Sequence, residues 1–453
     1  MSLLDEICSL SKRRGFIYPG SEIYGGLANT WDFGPLGALL KRNIENSWWD
    51  FFVTRRPEIY GMDTSVLMNP KVWEASGHTS SFSDALIDCR NCKTRTRADH
   101  LIEEKLEDFK AEGKSLEKLE KIIEKEKIPC PECGKFDWTN IREFNLLFET
   151  NVGIVQGEKS KIYLRGETAQ GMFVNFKNVL DTVSPKLPFG LAQSGIAFRN
   201  EITKGHFIFR NLEFHLAEFE YFVHENDWER WFFYWKEEME KWLVVLGVSK
   251  ENTRWREHTK DELAHYSKKT EDLEYKFPFG YKELWGLAYR TDFDLRNHAE
   301  ISKVDMSFKD PVTNEKYIPH VVEPSFGITR TLMMVLIDAY KKEEKRTVLK
   351  LKPNLSPYKV AVFPLLSNKS ELVEKAREIF ESLNKKLSVA WDERGNIGKR
   401  YFSQDEIGTP WCVTVDFETL KDESVTVRDR DTTLQERVSI DKLSEYFQNK
   451  LSV

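Results

Sequence analysis

The sequence predicts a chain of mixed α and β structure in two or three domains, and three observations carry that expectation. A charged β-hairpin lies near the middle, at Phe198–Glu201 and Phe209–Glu220; a strand–helix alternation begins at Tyr358; and two Cys-x-x-Cys pairs bracket a helical stretch between Cys89 and Cys133. At 453 residues the chain exceeds what one hydrophobic core organises. Charged residues at 31% and aromatics at 13% describe a globular chain rather than a disordered one. No apolar run approaches the ~20 residues of a membrane span. Met1–Glu6 lacks the basic and apolar regions of a signal peptide, so the cytosol is the expected compartment, with no membrane partner. A net charge of −6 gives no overall basic footprint, yet nucleic-acid binding needs only a local basic surface and stays open.

The hairpin is read first because both its strands carry charges. Alternation puts Phe214, Leu216, Glu218 and Glu220 on one face of the second strand, and Glu213, His215, Ala217, Phe219 and Tyr221 on the other. At about 3.3 Å per residue, Phe214 and Glu218 project the same way roughly 13 Å apart. That spacing suits a ligand with a flat aromatic end and a cationic end, with Arg199 on the partner strand between them. The competing reading is a hairpin whose charges face water.

Before the hairpin, residues 1–88 hold glycine-rich loops around an apolar helix pattern from Leu36 to Phe52, where Trp48 and Trp49 promise a large apolar contact. After it, Trp228, Trp231, Phe232 and Trp235 fall at helical spacing, so 226–275 is expected to be a helical insertion packed on the core. A Lys/Glu-rich run, Lys341–Arg346, leads into a linker marked by Pro353 and Pro357. From Tyr358 a strand (Val360–Leu365), a helix (Glu371–Leu383) and further strand and helix patterns predict a compact α/β domain with a mixed sheet.

Cys89-x-x-Cys92 and Cys130-x-x-Cys133 offer four thiolates on two tight turns, a closed tetrahedral set for a structural Zn²⁺. Between them, Leu101, Ile102, Leu106 and Phe109 form one apolar stripe and Leu116, Leu119, Ile122 and Ile123 another, with Gly113 at the break. An antiparallel helix pair would bring the knuckles together. Two disulfides or four free thiols are the alternatives; a cytosolic chain disfavours the first, and free thiols need no such spacing.

The hairpin segment resembles motif 2 of class II aminoacyl-tRNA synthetases, in the form seen in dimeric glycyl-tRNA synthetases. Ser21–Gly26 and Trp31–Gly37 resemble that family's N-terminal signature, and Leu36–Phe52 with a strand ending at Pro70 resembles motif 1. Glu323–Arg330 resembles motif 3, Arg165–Gly171 and Glu283–Arg290 match two further segments, and Trp391–Arg400 resembles the anticodon-binding domain. The matches are collinear. The resemblance implies an α+β catalytic domain built on an antiparallel sheet over 1–348, with a zinc-knuckle and helical-hairpin insertion at 89–140, and an α/β anticodon-binding domain over 349–453. It also implies glycine activation by ATP with Mg²⁺, transfer to tRNA(Gly), and a homodimer built through motif 1.

Carried onto this chain, the resemblance makes Arg199 and Arg330 catalytic. Arg199 can bridge the glycine carboxylate and the α-phosphate, because a guanidinium fork holds two oxygens. Arg330 sits in the first turn of a helix, a favourable place for phosphate. Asn200, Glu201, Phe209, Arg210, Phe214, Glu283, Leu284 and Gly327 complete the expected ATP site. Phe214 is expected to stack on adenine with Arg330 over its other face, and Glu283 to bind Mg²⁺ or a ribose or base group. For glycine, which has no side chain to grip, Glu167, Glu218 and Glu323 surround the ammonium with Ser325, Phe214 and Arg290; Arg97 is either a substrate contact or a surface charge. Thr329 stands where motif 3 commonly has glycine, at a second helical position that tolerates it. Lys204, Gly205 and His206 are candidate contacts for the tRNA acceptor end, and Asp392, Arg394, Lys399 and Arg400 for the anticodon. Two other classes compete. One is a synthetase-like nucleic-acid-binding accessory subunit without catalysis, free to lose Arg199, Glu218, Glu323 or Arg330. The other is a synthetase for another small amino acid.

Overall fold

The computed structural model describes residues 2–451 apart from 107–108, 110, 112, 154–159 and 203–204; the candidate Lys204 therefore lies outside the described residues. In chain order the elements that build the main sheet and its cover are α1 (Leu3–Arg14), α2 (Pro35–Trp49), β1 (Ile59–Gly61), α3 (Ala169–Val183), β2 (Phe189–Phe198), β3 (Glu213–Val223), α4 (Trp228–Leu246), β4 (Thr253–Glu257), β5 (Lys269–Phe277), β6 (Gly280–Thr291), α5 (Phe293–Ser302), β7 (His320–Gly327) and α6 (Ile328–Ala339). The strands form one seven-stranded sheet in the order β4-β5-β6-β7-β3-β2-β1, antiparallel throughout except for the parallel β1–β2 edge.

Period two decides what each face does. On one side of β3, Ala217, Phe219 and Tyr221 enter a core with Trp48, Phe52, Trp235, Trp242, Trp285 and Phe326, all at most 1% exposed. The rings meet edge-on and tilted, with Phe219–Trp235 centroids 4.6 Å apart. On the other side, Phe222 packs beneath α3 with Phe176, Phe189 and Leu191, and the polar residues of β3 lie between this second core and solvent. Gly171, in the first turn of α3, allows the helix to sit against β1's end: a Cβ there would lie 1.9 Å from the Thr64 hydroxyl.

Three expectations are corrected here. The first strand of the charged hairpin ends at Phe198 and the second begins at Glu213, with a 3₁₀ turn at Phe207–Phe209, so Arg199 and Arg210 lie on the connection rather than in strands. Motif 1's strand ends at Gly61, and Pro70 instead opens a short helix, Pro70–Ala75, as its fixed φ favours. The segment 226–275 is an α-helix only through α4; β4 is the edge strand of the main sheet and β5 its neighbour. The tryptophan spacing was read correctly as core, with Phe232 and Trp235 fully buried, but the β-branched and aromatic alternation of Thr253–Glu257 and Lys269–Phe277 outweighs their charge.

The C-terminal region holds a mixed five-stranded sheet. Its elements are β8 (Val360–Pro364), α7 (Ser370–Asn384), β9 (Val389–Trp391), α8 (Ile397–Ile407), β10 (Trp411–Val415), β11 (Ser424–Asp429) and β12 (Gln435–Ser439), ordered β9-β8-β10-β11-β12. The Lys/Glu run before it is a β-hairpin, Tyr340–Lys342 with Thr347–Leu349, packed against α8. Asp405 of α8, fully buried, accepts hydrogen bonds from Arg428 at 2.9 and 3.0 Å and from Arg346 of the hairpin at 2.7 Å. Arg430 donates to the Leu351 carbonyl at 2.8 Å. The two regions are thus joined by buried, charge-assisted bonds rather than by a bare linker. No helix among the described residues is long and apolar enough to cross a membrane.

Candidate active site and metal centre

A cleft opens at the ends of β3, β6 and β7. The register builds it: β3 pairs Glu218 with Ser325 of β7, and β7 pairs Ser325 with Gly286 of β6, so these positions share one face. Arg199, Glu201, Phe209, Arg210, Phe214, Glu283, Leu284, Gly327 and Arg330 of the expected nucleotide set line it, together with Glu218 and Ser325. Asn200 is absent from that lining; its N–H is spent on the Leu146 carbonyl at 2.8 Å.

Three arginines converge on the cleft. Arg199 lies between the rings of Phe82 and Phe214, at 5.2 and 5.3 Å, and donates from Nε to the Gly166 carbonyl at 3.2 Å. Arg330, third residue of α6, lies over Phe209 at 4.5 Å and pairs with Glu283 at 2.9 Å. Arg210 reaches Glu201 at 3.4 Å. Phe214 and Arg330, expected on opposite faces of one adenine, both line the cleft, where Phe214 lies against Arg199 and Arg330 against Phe209. Burial opposes ionisation of Glu283, but Arg330, with Arg199 and Arg210 near it, holds the carboxyl down to about 2. Thr329 does more than fill a glycine position. Its buried hydroxyl accepts the His215 N–H at 3.0 Å, tying α6 to β3.

Behind Glu218 the site becomes a buried set of carboxyls. Glu218 accepts the Thr168 N–H at 2.9 Å, the Ala169 N–H at 3.2 Å and the Thr168 hydroxyl, which places its carboxylate on the N-terminus of α3. Arg290, 1% exposed, donates to Asp294 at 2.8 and 3.0 Å and to Glu323 at 2.9 and 3.0 Å, lies 3.6 Å from Glu167, and stacks on Tyr266 at 3.8 Å. Glu167 also accepts from Gln170 at 2.9 Å and lies 3.3 Å from His78. Burial works against its charge, but His78 and Arg290 outweigh burial and hold it below the usual carboxylate range. For Glu218, burial and then Glu167 push the carboxyl up against the Thr168 bonds. Burial likewise raises Glu323 to about 8, against the pull of Arg290.

Arg97 is not brought to this floor. It is nine-tenths buried and bonded to Asp84 at 2.9 Å and Asp99 at 3.0 Å, so it is neither a surface charge nor a lining residue of the cleft. Arg400 is also corrected. It is 2% exposed and donates to the Pro364 and Gly395 carbonyls, a structural role, whereas Arg394 and Lys399 are exposed. Phe82, Thr168, Tyr266 and Asn29 were missed. Asn29 accepts the Gly205 N–H at 3.0 Å and, through its carbonyl, the Leu212 N–H at 2.9 Å, fixing the loop that carries Arg210. Only Thr168 had a signal, its place before an apolar helical run.

The four cysteines meet as expected. Their sulfurs all lie within 4.8 Å of one another, with Cys89–Cys133 at 3.7 Å and Cys92–Cys130 at 3.6 Å. A tetrahedral ion with bonds of about 2.3 Å has ligand edges of about 3.8 Å, so the set fits such a metal and is far too open for disulfides. The two knuckles repeat one turn: the Lys93 and Gly134 N–H groups donate to the Cys89 and Cys130 carbonyls at 2.9 and 2.8 Å. The helices Ala98–Lys105 and Leu116–Lys125 pack together over Leu101, Ile102, Leu119 and Ile123 and return the chain. Cys130→Ser should reduce metal from about one atom per chain to near none on elemental analysis. Hydrogen exchange should then rise in 89–133 before it rises in β3 and β7, because the metal bonds offset the entropy of closing that loop.

An arginine-lined cleft over a carboxyl floor, on a seven-stranded sheet antiparallel but for one edge, defines a class II tRNA synthetase catalytic core. The chain matches the family model for the tRNA synthetase class II core domain (G, H, P, S and T) over residues 148–339, that for the anticodon binding domain over 359–450, and glycyl-tRNA synthetase insertion domain 1 over 111–146. It belongs to the glycine–tRNA ligase family. It is 52% identical to the glycine–tRNA ligase of Caldanaerobacter subterraneus subsp. tengcongensis, 54% to that of Acetivibrio thermocellus and 52% to that of Geobacillus thermodenitrificans, each over 99% of this chain and 98% of the relative.

Proposed function

We propose that this chain activates glycine with ATP, releasing pyrophosphate, and passes the glycyl group from glycyl-adenylate to the 3′ end of tRNA(Gly) with release of AMP. The observation that carries the reading is the juxtaposition of three cleft arginines with the carboxyl floor behind Glu218, in a chain more than half identical to glycine–tRNA ligases over nearly its whole length. Attack of a carboxylate on the α-phosphorus brings negative charges together, so positioned cations do most of the work. Arg199, held between two rings, meets the reacting oxygens, and Arg330 adds its charge at the N-terminus of α6. Arg210, Phe209, Leu284 and Gly327 shape the nucleotide site, and Mg²⁺ arrives with ATP near Glu283 and Glu201. Glu218, Glu323 and Ser325 receive the ammonium, with Arg290 and Glu167 ordering the carboxyls behind it.

The cysteine set holds a structural Zn²⁺, four thiolates leaving no open position for chemistry. The C-terminal sheet, exposing Arg394 and Lys399 beside β9, meets the anticodon, and the outer face of α2 belongs to a homodimer interface, Trp48 itself being buried in the core. The cytosol is the compartment where these partners meet. No specific observation favours the accessory-subunit reading, since Arg199, Glu218, Glu323 and Arg330 are all in place. Charging of a tRNA(Gly) transcript with radiolabelled glycine, dependent on ATP, tests the whole proposal, and absence of charging with intact zinc and fold would refute it.

One variant tests the ammonium contact. Glu218→Gln keeps the shape and removes a charge whose hydrogen bonds are worth roughly 1.5–3 kcal/mol. The glycine KM should rise about ten- to a hundredfold with the ATP KM near normal; equal damage to both would contradict the role.

A further inference from the structure

Glu220 is the one member of the carboxyl floor with no hydrogen-bond partner on either oxygen among the described residues, and it is 0% exposed. The register that pairs Glu218 with Ser325 and Tyr221 with Val322 sets Glu220 opposite Glu323 on the neighbouring strand. Side chains so placed have Cβ atoms only about 4.5–5.5 Å apart, and two like charges there repel. Burial raises Glu323 too, but its two bonds from Arg290 pull the other way, so of the pair it is the one that ionises first. Glu220 takes none and is suited to keep a proton.

We infer that glycine's ammonium group displaces a proton from the Glu220–Glu323 pair, with Glu220 holding that proton in the empty site. This inference rests on the glycine-activation reading above. The charge count supports it. Around the pair stand Glu218 on β3, Glu167 ahead of α3 and Asp294 on α5, which makes five carboxyls in all, each at most 5% exposed. Facing them are Arg290 from β6, Arg165 ahead of α3, His78, His298 from α5 and Tyr266. Arg165 is bonded to the Thr64 and Ile196 carbonyls and shares its charge with Asp63. Burial lowers His298 and raises Tyr266, so it favours the neutral form of each. Without a ligand the floor carries more carboxyls than cations to match them, and a proton held by the pair reduces that excess. An entering ammonium supplies the missing positive charge, so the O–H of the carboxylic acid breaks and its proton passes to water.

The sign follows from the empty state. Burial, and then Glu323, push Glu220 well above the usual carboxylate range, so below that elevated value proton and ammonium compete. Affinity for the ammonium therefore rises with pH, by up to tenfold per unit, and levels off once the proton is gone. The test uses two stable mimics on the full chain: glycine joined to adenosine through a sulfamate, and its acetyl counterpart lacking the amino group. Calorimetry at pH 6.5, in buffers of contrasting ionisation enthalpy, counts the protons released. The glycyl mimic should release about one proton per site more than the acetyl mimic. In Glu220→Gln, which keeps the shape and cannot ionise, that difference should fall to near zero and the pH dependence should flatten. Equal proton counts for the two mimics in the native chain would overturn the inference, as would an undiminished difference in Glu220→Gln. If the variant does not fold, the native chain's pH profile decides, since a flat profile for the glycyl mimic between pH 5.5 and 7.5 would equally overturn it. Failure of both mimics to bind the folded native chain would instead refute the functional reading beneath it.

Discussion

Arg290→Met is expected to destabilise the catalytic region by about 3–5 kcal/mol and to abolish glycine-dependent exchange, because removing one partner of a buried ion pair strands the other charges. Here Asp294, Glu323 and Glu167 would all lose the cation that orders them, in surroundings at most 5% exposed. Methionine keeps much of the bulk against Tyr266 and Phe173, so the loss reports charge rather than a cavity. Thermal unfolding of the main sheet should shift down by several degrees. Adding Glu323→Gln should recover part of that stability, since one stranded charge is then neutral, but not the activity. Full stability in Arg290→Met would mean that the floor is not organised by this guanidinium.

Arg199→Ala is expected to lower glycine-dependent pyrophosphate exchange by roughly 10²–10³-fold, as loss of one preorganised donor at a developing charge does. The arginine makes no ion pair among the described residues and is held by Phe82, Phe214 and the Gly166 carbonyl. Its removal should therefore cost little stability, and exchange, not unfolding, should carry the effect. Lysine should rescue poorly, because a point charge lacks the planar fork that holds two oxygens and stacks on rings. Undiminished exchange in Arg199→Ala would remove the residue from the mechanism.

Much of this site was legible because alternation along one strand is a strong signal. Phe214 and Glu218 were placed on one face from sequence, and both line the cleft. The helix pattern after Gly327 put Arg330 in a first turn, where it lies, and the cysteine spacing anticipated four sulfurs gathered within 4.8 Å of one another. What failed was whatever depends on the third dimension between distant segments. Phe82, Thr168 and Tyr266 come from separate loops, and no local pattern says that they reach Arg199, Glu218 or Arg290. Arg97 and Arg400 carry charges that a sequence reading assigns to ligands, yet Arg97 is held by Asp84 and Asp99 and Arg400 is buried against the Pro364 and Gly395 carbonyls. The charged strands Thr253–Glu257 and Lys269–Phe277 were hidden because their ion pairs, such as Arg254 with Glu274 at 2.6 Å, form only across the finished sheet.

Exchange of labelled pyrophosphate into ATP, measured across a panel of amino acids, tests the central claim most directly. Glycine should support exchange, alanine and serine should fall to background, and no amino acid larger than glycine should approach it. Equal exchange with alanine or serine would contradict a floor built for an ammonium group with no side chain beside it, and absence of exchange with every amino acid would contradict the enzyme itself.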